Sequence, residues 1–148
     1  MLSCADNSPC TLDSCDSKTG YGDGDEKTVV GYGGSVNNKY ITTWCRRSIQ
    51  VTNPTAFAGA DIGLLRDDGA VVYLNGKELF CSNIQAGNIA PSTPASGTPS
   101  AAENEHVFHQ IVSADDLGAV ATVVAVEVHQ SAGNVPDLMF EAELLVGL

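Results

Sequence analysis

Residues 60–82 read Ala60-Asp-Ile-Gly-Leu-Leu-Arg66, Asp67-Asp-Gly69, Ala70-Val-Val-Tyr-Leu74, Asn75-Gly76, Lys77-Glu-Leu-Phe-Cys-Ser82, and this stretch decides the fold. Three short runs rich in apolar residues are each too short for a core helix and are cut by turn residues, which is the texture of β-strands. Asn75-Gly76 is the dipeptide that a two-residue type I′ hairpin prefers, because both central positions need positive φ. Asp67-Asp68-Gly69 marks a second turn.

The same texture extends outward in both directions. Strands are expected at Thr28–Tyr32 and Lys39–Thr52 upstream, and at Glu105–Ile111, Ala121–Gln130 and Leu138–Val146 downstream, with Gly, Asn and Pro between them. Gln85–Asn104, rich in Ala, Ser, Pro and Gly, reads as a long surface loop and, by its length, as a candidate functional one. A single helical turn is expected at Ser113–Leu117, with Ser113 as N-cap and acidic residues behind it. The prediction is an all-β antiparallel sandwich over residues 21–148.

Residues 1–20 differ in kind. They carry Cys4, Cys10 and Cys15 in a polar stretch with almost no apolar residues, which cannot build a core of its own. The spacing resembles the CTxDxCD cysteine repeat of secreted matrix and bacterial surface proteins, cut at its start. An odd number of cysteines leaves one for which the tail has no partner.

Charge narrows the function classes. Eighteen acidic against seven basic residues give a formal net charge of −11 over 148 residues, which repels nucleic-acid phosphates and anionic lipid and offers no basic stripe. No run of apolar residues is long enough for a membrane span, and no basic-then-apolar leader opens the chain, so the natural protein is expected to extend further at its N-terminus. The acidic excess serves solubility or suits a divalent cation.

Five stretches, Gly20–Glu26, Asn38–Arg47, Leu65–Glu78, Ala125–Gln130 and Asp137–Leu144, occur in an order that resembles the galactose-binding-like jelly-roll domain appended to secreted bacterial metallophosphoesterases and other extracellular proteins. The resemblance covers residues 20–148. It implies the sandwich fold, a secreted or cell-surface location, and lectin-like, adhesive or purely structural roles. The family usually has an aromatic at the position of Cys45 and an arginine or other residue at that of Cys81. This double departure implies a Cys45–Cys81 disulfide in an oxidising compartment, the alternative being two buried thiols.

The Asp67-Asp68 turn more loosely resembles the Asp-Asp turn with which some adhesin lectins hold calcium and sugar hydroxyls together. Adjacent carboxylates can converge on one hard cation; equally, Arg46 or Arg47 from a neighbouring strand would pair with them and fix the turn. Asp23, Asp25 and Glu26 have the composition of a calcium loop without EF-hand spacing, and the family often ties its N-terminal segment down with calcium; Asp137 joins this candidate metal set. On the Ala121–Gln130 strand, Val124, Val126 and Val128 face one way and Glu127 with His129 the other. Trp44 and Tyr40, at even spacing, are candidates for stacking on sugar rings.

No nucleophile elbow, phosphate loop, HExxH or CxxC occurs. A catalytic site would have to be assembled from Glu127, His129 and Asp137, so the expectation is a non-enzyme. His106 and His109 are oddly spaced for a shared metal site on a strand. Two functions compete: an extracellular carbohydrate-binding or adhesive module, with a glycan as partner and calcium as its ion, and a structural spacer or assembly unit that meets other protein chains.

Overall fold

A computed structural model of the chain describes Gly31 and residues 33–104, 106–118 and 121–147. The cysteine-rich tail, the acidic stretch Asp23–Glu26 and all but Gly31 of the expected strand at 28–32 lie outside these residues.

Seven strands are described: β1 Thr42–Ile49, β2 Gly59–Asp67, β3 Gly69–Leu74, β4 Lys77–Ser82, β5 Phe108–Ser113, β6 Thr122–His129 and β7 Met139–Val146. They form an antiparallel sandwich of a four-stranded sheet ordered β1-β6-β3-β4 and a three-stranded sheet ordered β5-β2-β7. Every connection except the β3–β4 hairpin crosses from one sheet to the other. The expected all-β sandwich is therefore present, and each downstream strand falls within a few residues of its expected limits.

Alternation in the sequence explains which side chains the sandwich buries. Ala60, Ile62 and Leu64 of β2, Ala70, Val72 and Leu74 of β3, and Val124, Val126 and Val128 of β6 meet in one core. Asn75 and Gly76 both have positive φ and turn the β3–β4 hairpin as expected. The Asn75 side chain accepts from Val123 N and donates to Asp116 O, both at 2.8 Å, which ties the hairpin tip to the segment leading into β6.

A 3-10 turn covers Ala114–Asp116, where Ser113 and Asp116 form a reciprocal capping box. The 85–104 segment is less irregular than expected, since it ends in a helical turn, α1, at Ala101–Asn104. A further 3-10 turn at Pro54–Ala56 was not expected.

The long segment is not a free loop. It lies over the outer face of the four-stranded sheet: Thr42 Oγ1 donates to Pro91 O at 2.7 Å, and Ala95 N donates to Gln130 O at 3.1 Å. Asn83 closes its base, donating from Nδ2 to Gly97 O at 2.6 Å and to Asp68 O at 3.0 Å. Gly69 permits this approach, because a β-carbon there would lie 2.8 Å from Asn83 O and 3.0 Å from Ala95 Cβ.

The Cys45–Cys81 disulfide implied by the resemblance is not formed. The two residues stand on opposite edge strands of one sheet, about 14 Å apart at normal strand spacing, and a disulfide needs Cα atoms within about 7 Å. They also face opposite ways. Cys45 pairs with core-facing Val126, whereas Cys81 pairs with Val71 in the row that carries Glu127 on the outer face.

Candidate functional site

The antiparallel register assembles a platform on the outer face of the four-stranded sheet. One row across it runs Trp44, Glu127, Val71, Cys81, and the next runs Arg46, Ala125, Tyr73. Odd-numbered residues of β3 and β6 and even-numbered residues of β1 share this face because strand side chains alternate. Trp44 is 54 % exposed, and Arg46 beside it is exposed as well.

On the same face runs a largely buried polar chain. Tyr73 Oη donates to Glu127 Oε1 at 2.7 Å, and Glu127 Oε2 lies 3.1 Å from His129 Nε2. His129 Nδ1 lies 2.7 Å from Thr93 O and 3.0 Å from Thr42 Oγ1. Thr93 O can only accept, so Nδ1 carries hydrogen, and one further proton must lie between Nε2 and the Glu127 carboxyl for both contacts to be satisfied. Partial burial, then the hydrogen bond and charge of Glu127, push the Tyr73 phenol far above its usual range. Tyr73 therefore stays a donor and holds the Glu127 carboxyl in place.

Tyr40 does not extend the platform. β1 begins only at Thr42, so the even spacing from Trp44 does not carry over. Tyr40 instead lines a cleft of about 150 Å³ with Thr43, Gln130 and Asp137. Arg47 points the other way from Arg46, into an apolar cleft between β1 and β7 lined also by Val124, Phe140 and Leu144.

Asp67 and Asp68 form the corner where the chain passes from β2 to β3, and the peptide bond between them is cis. The expected pairing with Arg46 or Arg47 does not occur. Gly69 lies opposite His129 and His129 opposite Thr42, whereas Arg46 lies opposite Ala125, about 13 Å further along the strands. The arginine whose charge reaches Asp67 is Arg66. Burial, a hydrogen bond with Asp68 and the charges of Asp68 and Asp137 push the Asp67 carboxyl up to about 6. Asp68 is fully buried, and its Oδ2 accepts from Ser131 N at 2.7 Å.

Among the described residues no three carboxylates, imidazoles or thiols gather as metal ligands. A zinc-type centre does not fit, while a calcium-type shell would have to draw on Asp67 and Asp68 plus neutral oxygens. His106 and His109 go separate ways, His106 edge-on to Phe108 and His109 at 2.8 Å from Asp61 Oδ2. Of the residues of the catalytic alternative, Glu127 and His129 touch each other on the outer face of the four-stranded sheet, while exposed Asp137 lines the separate cleft with Tyr40.

Sequence reasoning passed over Arg66, which is 1 % exposed. Its Nε donates to Ser82 Oγ at 3.0 Å, its Nη2 to Glu103 Oε1 at 3.2 Å, and its guanidinium lies 4.7 Å from the Phe108 ring centre. The signal was present, since Arg66 continues the inward alternation of Ala60, Ile62 and Leu64. Tyr73 was passed over in the same way, although it alternates with Val72 and Leu74 and so had to face outward.

No family model matches the chain, and no curated protein does. Among solved structures the fold is similar to the crystal structure of Streptomyces avermitilis alpha-L-rhamnosidase complexed with L-rhamnose, with a TM-score of 0.53 at 17 % identity. The likeness covers 77 % of this chain and 9 % of that one. At such identity it establishes the sandwich fold, and the chain spans a small fraction of the enzyme's length.

Proposed function

We propose that the domain is a non-catalytic carbohydrate-binding or adhesive module of a secreted or cell-surface protein. The observation that carries this reading is Trp44, 54 % exposed on a regular strand, flanked on the same sheet face by the exposed Arg46, with the buried Glu127 behind it held by Tyr73 and His129. An exposed aromatic face stacks on the C–H face of a sugar ring, while neighbouring charged and hydroxyl groups meet its hydroxyls. The acidic charge disfavours phosphate-rich partners. A sandwich domain within a rhamnosidase chain is a compatible setting for such a module.

The test is a glycan array followed by calorimetry. Wild type should retain at least one polysaccharide, and Trp44→Ala should lose it with an unchanged melting point, because the indole is half in water already. Glycan retention that survives Trp44→Ala would move the site off this platform. Failure of every glycan would leave the assembly reading.

That second reading has its own support in Ile111 and Leu145, 58 % and 52 % exposed, which flank Asp61 in one row on the outer face of the three-stranded sheet. Two large exposed aliphatics in one row suit contact with a second copy of the chain. On this reading light scattering finds a dimer that Ile111→Lys dissociates.

A further inference from the structure

We propose that the open side of the sandwich, between β1 and β7, is a docking groove for residues 26–30 of this same chain, Glu26-Lys27-Thr28-Val29-Val30. The inference does not depend on the glycan reading, because it concerns the edge of β1 and not the outer face that carries Trp44.

β1 ends one sheet and β7 ends the other. Both line one apolar cleft, so the sheets part on this side, and Ile49, Val124, Phe140, Ala142 and Leu144 are reached from it. Ile49, Phe140 and Ala142 pack against the core yet are only half-buried. An apolar groove beside a strand edge suits an extended segment, which can pair its backbone with the edge and place alternate side chains between the sheets.

The described chain already leads its own N-terminal part to this groove. Asn38 N donates to Ser35 O at 3.1 Å and closes a turn ahead of β1. Gly33 lies against the Tyr40 ring, where a β-carbon would stand 3.3 Å from Cζ, and Gly31 shares a cleft with Tyr40 and Thr43. Traced from residue 33 to residue 31, the chain therefore runs back alongside the stretch that enters β1. Five further residues at about 3.3 Å each reach about 17 Å, the length of β1 from Thr43 to Ser48.

The chemistry of the segment matches the groove. Thr28, Val29 and Val30 are β-branched residues that favour a strand edge and supply apolar surface. Arg46, Arg47 and Glu143 also line the cleft, and the segment brings Glu26, with Asp25 and Asp23 behind it, towards the arginines and Lys27 with them. Because Gly31 stands at the mouth, the segment is held near the groove at an effective concentration on the order of millimolar. A second copy of the chain would have to compete with it.

The experiment is amide hydrogen exchange read by NMR on the full chain at low protein concentration. In wild type, residues 26–30 should exchange about tenfold or more slowly than in an unfolded chain, and Val29 or Val30 methyls should show nuclear Overhauser contacts with the Phe140 ring. The double substitution Val29→Asp, Val30→Asp should bring that segment to unfolded-chain rates while β3 and β6 stay protected. If β3 and β6 do not stay protected, the wild-type contacts with Phe140 decide, and their absence overturns the proposal. Unfolded-chain rates in wild type, or protection that survives the double substitution, overturn it too. Protection that grows with protein concentration would assign the groove to a second copy and overturn it as well.

Discussion

At Gly69 a single missing β-carbon decides whether the long segment can close over the sheet. The nearest atoms to an added methyl would be Asn83 O at 2.8 Å and Ile84 Cδ1 at 2.9 Å, and the first is backbone that cannot swing aside. Gly69→Ala should therefore lower stability by about 1–3 kcal/mol, as overpacking does, read by urea unfolding. Asp67 next to it predicts a pH effect. Its folded value of about 6 lies above the ordinary 3.8, so the folded protein holds the proton more tightly than the unfolded chain. The stabilisation is complete below about pH 4 and is lost as the pH rises through 6. Wild type should lose on the order of 1–3 kcal/mol between those limits that Asp67→Asn does not.

Elements obey the same logic of matched partners. The β3–β4 hairpin needs Gly76 at φ 83, and Gly76→Ala should cost about 1–2 kcal/mol for placing a β-carbon in the left-handed region. Helical turn α1 is only Ala101–Asn104, too short to persist alone, and Arg66 anchors it through Glu103. The Arg66 guanidinium beside Glu103, with Ser100 hydrogen-bonding the same group, holds that carboxyl below its usual range. Arg66→Ala should lower stability by about 2–4 kcal/mol through the cavity, the lost contact with Phe108 and the stranded Ser82 hydroxyl. Amide exchange across 100–106 should accelerate with it. Element limits were legible where alternation and turn chemistry coincide, as at Lys77–Ser82, which falls at its expected bounds. They were not legible at 101–104, where a four-residue helical turn has no periodicity to read.

Across the whole molecule, the sequence by itself determined the fold class, the strand limits, the hairpin turn and the acidic surface. Each of these follows from short-range properties: alternation, φ preference and charge count. It also put Glu127 and His129 on one strand face, whereas its pairing of Trp44 with Tyr40 fails because β1 begins only at Thr42. What only the tertiary structure decided was which faces meet. Strand order set Trp44 opposite Glu127 and brought Tyr73 into the next row of the same face, and it placed Cys45 and Cys81 on opposite edges and opposite faces, so that no disulfide joins them. It carried Arg46 and Arg47 away from the Asp67–Asp68 corner. Alternation fixes the face on which a side chain lies; the register between strands distant in sequence, set by the shared burial of Ile62, Val72 and Val126, fixes its neighbours.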